Sequence, residues 1–351
     1  MKMIGLEAGV HISTVSLALN GHPSIPEKTQ DRIRQIAEEM GYRPDPALSS
    51  LVAYRSSKRE KADQGVLAWL DFWPDETCPS ERFPGLWTGA ADRAHAFGWK
   101  LEGVRPAASG MSLKKTSKML RDRGIVGLLI GPLPSADMVL EIEWPWYAAV
   151  CLGHSLDSPA LHSAQPHQMQ NMQLLLRELA GLGYKRPGLV IDTAIHANTK
   201  HYWMAAFLDA QLSLDANDRP PPLLVELGDL GKIGQWHGQH HPDVIISSLP
   251  AQTIALLRDS GLSVPHDVGV AAPSFANEIW RPELAAKGIL PDTQESGISG
   301  IDERFPEIGI AGLDKVVALI NRHERGAPPV PRHLMIGGIW RCGKTVMKQP
   351  E

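Results

Sequence analysis

The chain has little cysteine and no long apolar run. Its 351 residues include three cysteines, Cys78, Cys151 and Cys342, which lie far apart and form no Cys-x-x-Cys pair. This usage is typical of reduced thiols in a cytosol rather than of a disulfide framework. No stretch approaches the roughly 18 consecutive apolar residues that a membrane span requires, and the N-terminus lacks the basic-then-apolar order of a signal peptide. We therefore expect a cytoplasmic protein that does not enter a membrane.

The chain also has little net charge, and that charge is divided unevenly. The formal net charge is −4 for the whole sequence. Residues 1–62 hold nine Lys or Arg against seven Asp or Glu, a balance of +2, so the rest of the chain carries −6. The positive excess is small, and it supports nucleic-acid binding by the N-terminal part only modestly.

Three helical patterns follow one another in the first forty residues. The segment "GLEAGVHISTVSLALNG" predicts two short helices around a turn at Gly9, the second running from Ile12 to about Asn20, as in a helix-turn-helix. A third helix has Pro26 in its first turn and ends at Gly41. The small or apolar residues that would hold the helices together are Ala8, Val10, Val15, Leu19, Ile33, Ile36, Ala37 and Met40.

The second helix carries candidates for reading DNA bases. Ile12, Ser13, Ser16 and Leu17 fall opposite its packing residues and near its N-terminal end. Side chains at these positions of a helix-turn-helix reach base edges in the major groove. Nucleic acid is therefore the leading partner.

The rest of the chain reads as a linker followed by two α/β lobes. After "RPDPALSSLVAYR", residues 55–64 form a charged linker, and a domain boundary is expected near Asp63. Apolar runs then alternate with helical patterns, which predicts parallel sheets with crossover helices. The expected helices are 87–97, 113–123, 169–181, 202–210 and 251–260. The expected strands are GVLAWLDF, KLEGV, VGLLIG, YAAVCLG, RPGLVI, PLLVEL, DVIISS and VGVAA.

Almost the whole chain resembles the lactose-repressor (LacI/GalR) family of bacterial transcription regulators. The N-terminal block and "RPDPALSSLVAYR" carry the resemblance, together with "GLSVPHDVGVAAPS" and "GLDKVVALINRHERGAPPVPRHLMIGGIWRCGKT". The resemblance implies an all-α helix-turn-helix headpiece over 1–42, a hinge helix and linker over 43–63, and a two-lobed α/β domain like the periplasmic binding proteins over 64–347. In that fold the chain crosses between the lobes three times.

The resemblance also implies a function and further DNA contacts. A homodimeric repressor would bind pseudo-palindromic operator DNA and respond to a small-molecule effector, a sugar or a related metabolite. Thr14 and Asn20 stand at DNA-contacting or supporting positions, and Leu51 stands where the hinge helix inserts a leucine into the minor groove. Leu17 replaces a common arginine and Asp45 a common asparagine, so we expect weaker phosphate attraction and a flatter salt dependence. Leu17 can still contact a thymine methyl.

Effector candidates come from the cleft, since two-lobed sheets bind ligands outside the carboxyl ends of their strands. The candidates at those ends are Phe72, Trp73, Trp203, Trp236, Ser247 and Ser274. Aromatic rings could stack on a sugar or a base, although ten tryptophans in the chain can equally belong to core and rim.

Two of these positions depart from the family pattern. Members that bind sugars or purines commonly have an arginine where this chain has Trp203 and an aspartate where it has Ser274. Either the effector differs from those ligands, or other polar residues contact it, or no effector binds and DNA binding is constitutive. The other polar residues are His162, His167, Lys200 and His201.

No catalytic constellation can be assembled from the sequence, so no enzyme activity, cofactor or metal is assigned. Residues 338–345, "GIWRCGKT", fit the literal P-loop pattern but leave no room for the helix that the motif requires. His237, His240 and His241 lack a carboxylate or cysteine at ligand spacing and are interpreted as a solvated loop. The alternative function is a cytosolic small-ligand-binding or sugar-processing protein with a vestigial headpiece.

Overall fold

A computed structural model describes residues 2–19, 24–40, 64–74, 77–135, 138–226, 228–274 and 297–350. The segment 43–63, which includes Asp45 and Leu51, lies outside these residues, as does Asn20. The headpiece, hinge and body boundaries therefore stay predictions.

The headpiece consists of three helices, α1 (Lys2–Glu7), α2 (Ile12–Leu19) and α3 (Glu27–Glu39). Their buried core is Ile4, Ala8, Val15, Ala18, Ile33 and Ala37. Gly9 makes the turn between α1 and α2 at φ +64°, a conformation that favours glycine. The Arg32 guanidinium donates to the Ala8 carbonyl at 2.9 Å and so ties α3 to this turn. Met40, expected in the core, follows the last residue of α3 and is 40% exposed.

In the described residues the body contains two six-stranded sheets, one in each lobe. The lobe-one strands are β1 (Gly65–Leu70), β2 (Trp99–Val104), β3 (Gly127–Ile130), β4 (Ala148–Leu152), β5 (His162–Pro166) and β11 (His333–Ile336). Their order in the sheet is β11-β5-β4-β3-β1-β2, and all neighbours are parallel. The lobe-two strands are β6 (Pro187–Asp192), β7 (Leu223–Val225), β8 (Val244–Ser247), β9 (Gly269–Ala272), β10 (Ser299–Asp302) and β12 (Ile339–Arg341). Their order is β12-β10-β9-β8-β6-β7, with β12 antiparallel to β10.

Helices cover the faces of both sheets, as expected for parallel strands joined by crossovers. In lobe one these are α4 (Pro79–Arg82), α5 (Pro84–Ala96), α6 (Leu113–Asp122) and α12 (Phe305–Asn321). In lobe two they are α7 (Gln168–Gly181), α8 (Thr193–Asn198), α9 (Tyr202–Gln211), α10 (Lys232–His240) and α11 (Pro250–Asp259). All five helices expected in the body are present, with ends within three residues of the predicted ones.

Close packing of α5 against α12 fixes the start of α12 beside the cleft. A Cβ atom on Gly89 would lie 2.0 Å from the Pro306 carbonyl oxygen, and one on Gly309 would lie 2.2 Å from that of Leu86. Only glycine allows the two backbones to approach this closely. The contact therefore holds Phe305, the first residue of α12, in a defined place.

Within the described ranges three passages of the chain join the lobes, as the family resemblance implies. They occur at His167, between Asp302 and Phe305, and at Gly337–Gly338. Each lobe is thus completed by segments distant in sequence.

The structure differs from the sequence expectations at two buried strands, β5 and β10, and at three helices that were not expected, α4, α8 and α10. Strand β5 is fully buried but polar, because the Ser163 hydroxyl pairs with His333 Nδ1 at 2.8 Å and His162 Nδ1 accepts the Arg332 N–H at 2.9 Å. A search for apolar runs passes over it, and over β10. The predicted loop around His237, His240 and His241 is instead α10 and its C-terminal residue, since Ile233 and Trp236 bury one face.

The P-loop-like sequence forms no phosphate loop in the described residues. Strand β12 is followed to residue 350 by non-helical chain. Thr345 Oγ1 donates to the Val270 carbonyl at 2.6 Å and accepts the Ser299 N–H at 2.9 Å, which fixes the segment to lobe two. Among the helices of the described ranges, none has both the length and the apolar character needed to cross a membrane.

Candidate functional site

One candidate surface is the outward face of α2. Ile12 is 43% exposed and Leu17 is 37% exposed, Ser13 is exposed and Thr14 is half-buried, while Val15 points into the headpiece core. Ser16 lies within α2. The expected DNA-reading residues Asn20 and Leu51 lie outside the described part of the chain. The four described side chains give this face a mixed apolar and hydroxyl character.

His11 organises the start of α2. Its Nδ1 accepts the Ser13 N–H at 3.3 Å and lies 2.8 Å from Ser13 Oγ. Because Nδ1 accepts the backbone bond, the Ser13 hydroxyl donates to it as well and keeps its lone pairs for another donor. Ser13 can therefore accept a hydrogen bond from a base, while Ile12 and Leu17 offer apolar contact.

The second candidate site is a cavity of about 320 Å³ between the lobes. Lobe one contributes Trp73, Arg82, Phe83, Gly85, Leu86, Pro132, Leu133, Gly153, His154, Ser155, Pro166, Phe305 and Ile308. Lobe two contributes Gln168, Ile195, Asn198, Thr199, Trp203, Ser274 and Glu303. A molecule bound here touches both lobes, and the volume suits a small ligand.

Three of the six predicted effector residues meet at this cavity: Trp73, Trp203 and Ser274. Trp73 donates from Nε1 to the Pro132 carbonyl at 2.9 Å, and the Arg82 guanidinium lies 4.6 Å above its ring. Trp203 is 3% exposed and donates from Nε1 to Gln168 Oε1 at 2.5 Å. Hydrogen bonds therefore hold both indole rings in place at the wall.

The other three predicted residues, Phe72, Trp236 and Ser247, lie away from the cavity wall. Phe72 is 4% exposed within the lobe-one core. Trp236 packs in the lobe-two core, and its Nε1 donates to the Pro221 carbonyl at 2.8 Å. Ser247 is fully buried and its hydroxyl accepts the Leu249 N–H at 3.0 Å. These residues were expected in loops at the strand ends that border the cleft. In the structure Phe72 and Trp236 pack in the cores of their lobes, and Ser247 stabilises the turn after β8.

The alternative polar residues also have other partners. His162 belongs to β5, and the His167 ring accepts the Gln170 N–H at 3.3 Å at the start of α7. Lys200 pairs with an Asp157 carboxylate oxygen at 2.6 Å, and His201 stacks on His196 with ring centres 4.1 Å apart. None of the four lines the cavity.

His154 supplies a polar group to the cavity that sequence reasoning missed. Its Nε2 donates to the Pro166 carbonyl at 3.0 Å, and its ring packs edge-on against Tyr202. Burial lowers the pKa of His154 to about 4, and the nearby Lys200 charge acts in the same direction. The imidazole is therefore neutral at physiological pH.

Glu303 was also missed, and it is the most unusual polar group of the cavity. The side chain is 2% exposed, its Oε2 accepts a hydrogen bond from the Ser274 hydroxyl, and its Oε1 has no hydrogen-bond partner among the described residues. Burial raises the pKa of Glu303 to about 7, against the lowering effect of the Ser274 hydrogen bond and of the neighbouring Gln168 amide. An acidic residue directly after a strand and directly before a lobe crossing was the only signal in the sequence.

The cavity can bind and orient a ligand. Within the described residues, no group of three or more His, Cys, Asp or Glu side chains is placed to hold a metal ion. The wall combines aromatic rings from both lobes with a few polar groups, an arrangement suited to ligand recognition.

Comparison with known sequences connects the headpiece to DNA-binding proteins. Residues 1–45 match the family model for bacterial regulatory proteins of the lacI family. Over 350 residues the chain is 20% identical to the HTH-type transcriptional regulator RegA of Clostridium saccharobutylicum, an alignment that covers 93% of this chain and 94% of that protein. These matches confirm the resemblance that the sequence motifs indicated.

Comparison with solved structures extends the likeness to the whole fold. A complex of the transcriptional regulator CelR with cellobiose aligns with a TM-score of 0.58 at 15% identity, covering 98% of both chains. A lac repressor dimer bound to operator and the anti-inducer ONPF aligns with a TM-score of 0.56 at 14% identity, again over 98% of both chains. The expected architecture, a helix-turn-helix headpiece with a two-lobed α/β body, is confirmed.

Proposed function

We infer that this chain belongs to the lactose-repressor (LacI) family of bacterial regulatory proteins and acts as a transcriptional repressor controlled by a small molecule. One observation carries the proposal: a headpiece that matches that family and exposes the reading face of α2 is joined to two lobes that enclose a ligand-sized cavity. Neither part alone would favour a regulator over a simple binding protein.

The headpiece would place α2 in the major groove. The core around Val15 and Ile33 sets the angle between α2 and the other helices, and α2 presents Ile12 and Leu17 to base edges. A homodimer carries two such helices related by two-fold symmetry, so its DNA site is pseudo-palindromic. A solved relative by fold, the lac repressor, is a dimer on its operator.

The cavity would control DNA binding through the relation between the lobes. A ligand that touches Trp73 and Phe305 on lobe one and Trp203 and Ser274 on lobe two binds best when the lobes are closed, and therefore shifts their population. The change reaches DNA through residues 43–63, which join the body to the headpiece. Since a similar regulator is known with cellobiose, a sugar or related metabolite is the first effector class to examine.

Such a regulator catalyses no reaction and works in the cytoplasm, where the DNA lies.

The competing function is a cytosolic small-ligand-binding or sugar-processing protein with a vestigial headpiece. The regulator is favoured because residues 1–45 match a family of bacterial regulatory proteins and the second helix of that segment exposes Ile12 and Leu17.

DNA binding by the headpiece tests the proposal. Fluorescence anisotropy of a labelled random-sequence duplex, titrated with the full chain at low salt, should show binding that weakens as salt rises. Val15→Asp places a charge in the headpiece core and should abolish binding while the body stays folded. Equal DNA affinity of the two proteins, or no affinity in either, would favour the competing function.

A further inference from the structure

One carboxyl oxygen of a cavity residue has no hydrogen-bond partner in the described part of the chain. Glu303 Oε1 is buried and accepts no hydrogen bond from the described residues, whereas Oε2 of the same carboxyl accepts one from the Ser274 hydroxyl. Buried polar atoms without a partner are rare, because each costs the free energy of its lost hydration. Glu303 lines the cavity, so a ligand group that reaches this oxygen would complete the site.

Five other polar side chains of the cavity wall form hydrogen bonds within the protein. The Trp73 and Trp203 indoles and the His154 ring donate to the Pro132 carbonyl, to Gln168 and to the Pro166 carbonyl, respectively. The Thr199 hydroxyl donates to the Ile195 carbonyl at 2.9 Å, and the Ser155 hydroxyl accepts the Leu133 N–H at 2.8 Å. Glu303 Oε1 differs from these groups, since it has no hydrogen-bond partner among the described residues.

The remaining wall is largely apolar. The rings of Trp73, Phe83, Trp203 and Phe305 face the cavity from both lobes, and Ile308 adds an aliphatic surface. A ligand with many hydroxyl groups would lose hydration at each of them against these side chains. The wall fits a ring-bearing ligand with few polar groups, one of which meets the carboxyl.

We propose that the cavity takes a compact ligand with an apolar, ring-bearing body and one hydrogen-bond donor, an ammonium or a hydroxyl group, and that Glu303 Oε1 accepts the bond from that donor. This inference rests on the proposed function only in treating the cavity as the effector site. The proposed effector has fewer hydroxyl groups than cellobiose. Glu303, which directly follows β10, also supplies a carboxyl group, whereas the residue at position 274 is a serine.

Ionisation of Glu303 should make the affinity for an ammonium ligand depend on pH. Burial and the neighbouring Asp302 charge both raise its pKa, while Ser274 and Gln168 stabilise the carboxylate. The other titratable or charged side chains at the cavity wall are His154, which is neutral, and Arg82, which lies over the Trp73 ring. Below about pH 7 an ammonium ligand must displace the Glu303 proton, so its affinity should rise with pH up to that value.

Three matched probes test the chemistry directly: 2-phenylethylamine, 2-phenylethanol and the methyl ether of 2-phenylethanol. They share one ring and differ in carrying a cationic donor, a neutral donor or no donor. We expect calorimetry or ligand-observed NMR with the full chain at pH 8 to give at least about tenfold tighter binding of the amine and the alcohol than of the ether. The amine should bind more weakly at pH 6, and the ether should be insensitive to pH.

Glu303→Gln should weaken binding of the amine at least about tenfold, since it removes the charge that the ammonium meets. Glu307→Gln is the matched control: Glu307 lies in the first turn of α12, pairs with Arg304 at 3.0 Å and is absent from the cavity wall. The control should bind all probes as the unchanged protein does. If Glu303→Gln does not fold, the pH dependence of amine binding decides.

Four results would overturn the proposal: equal binding of ether and alcohol, undiminished amine binding by folded Glu303→Gln, no binding of any probe, or tighter binding of cellobiose than of all three. If the probes do not bind as expected but the chain binds DNA, the proposed ligand class is wrong and the proposed regulator function is unaffected. If the probes bind as expected but the chain does not bind DNA, the regulator function is wrong and the proposed ligand site is unaffected.

Discussion

The Ser274 hydroxyl donates a hydrogen bond to the Glu303 carboxyl across the carboxyl ends of the neighbouring strands β9 and β10. Two residues later the chain enters α12 of lobe one, beginning with Phe305 at the cavity wall. A single titratable group thus lies at the point where lobe two passes into lobe one. Its protonation should affect both the stability of the fold and the properties of the cavity.

Substitution of Glu303 should change how stability depends on pH. The folded-state pKa of about 7 lies above the ordinary value of 4.5, so folding favours the protonated acid. This contribution is complete below pH 4.5 and is lost as pH rises to about 7, an effect of about 3 kcal/mol. Urea denaturation between pH 5 and 8 should therefore show Glu303→Gln gaining stability relative to the unchanged protein as pH rises. A constant difference would contradict the buried, protonated state.

His154 should have the opposite pH dependence. Its folded-state pKa of about 4 lies below the ordinary 6.5, so folding favours the neutral ring. The stability it contributes is complete above pH 6.5 and is lost as pH falls towards 4. Its effect opposes that of Glu303 between pH 4.5 and 6.5. We expect His154→Gln to lose less stability on acidification than the unchanged protein, and parallel denaturation curves would exclude the buried neutral imidazole.

Leu17→Arg should strengthen DNA binding. Leu17 is 37% exposed on the outward face of α2, and an arginine there could reach a phosphate or a base. One added phosphate contact should steepen the salt dependence of log affinity by about 0.9. Leu208→Arg adds the same charge at a 43% exposed position of α9 and should leave the slope unchanged. Equal slopes in the two variants, measured by anisotropy, would remove Leu17 from the interface.

Gly89→Ala should destabilise lobe one. The new methyl group would meet the Pro306 carbonyl at 2.0 Å and force α5 away from α12, at a cost of about 1–3 kcal/mol. Gly238→Ala in α10 is the control, because that position is open and alanine should stabilise the helix by about 0.5–1 kcal/mol. Denaturation midpoints should move in opposite directions. Unchanged stability of Gly89→Ala would show that the two helices are not in close contact.

Local sequence patterns predict much of the fold, because its helices repeat apolar residues at helical spacing and most of its buried strands are short apolar runs. The headpiece core at Ala8 and Val15 follows helical spacing around the Gly9 turn. The predicted apolar strands lie within the parallel sheets because both faces of such sheets are covered. Strand β5 is buried in the same way but carries His162 and Ser163, whose partners come from around β11, about 170 residues away, and no local pattern contains them.

The cavity was harder to predict because a side chain's surroundings decide its role. Trp203 and Trp236 both lie in lobe-two helices that follow a strand, yet Trp203 lines the cavity and Trp236 packs over Gly188. Glu303 resembles any acidic residue at the end of a strand. Only the folded chain shows that the Ser274 hydroxyl donates to one of its oxygens and that the other has no partner within the ranges that the structure describes.

Selection of bound duplexes from a random DNA pool tests the central claim most directly. The full chain should recover, at moderate salt, a two-fold symmetric site with a deformable central step, because a dimer presents two copies of α2. Val15→Asp, run in parallel, should recover nothing above background. Recovery of no enriched sequence by the unchanged chain, or of an asymmetric site, would contradict a dimeric DNA-binding regulator.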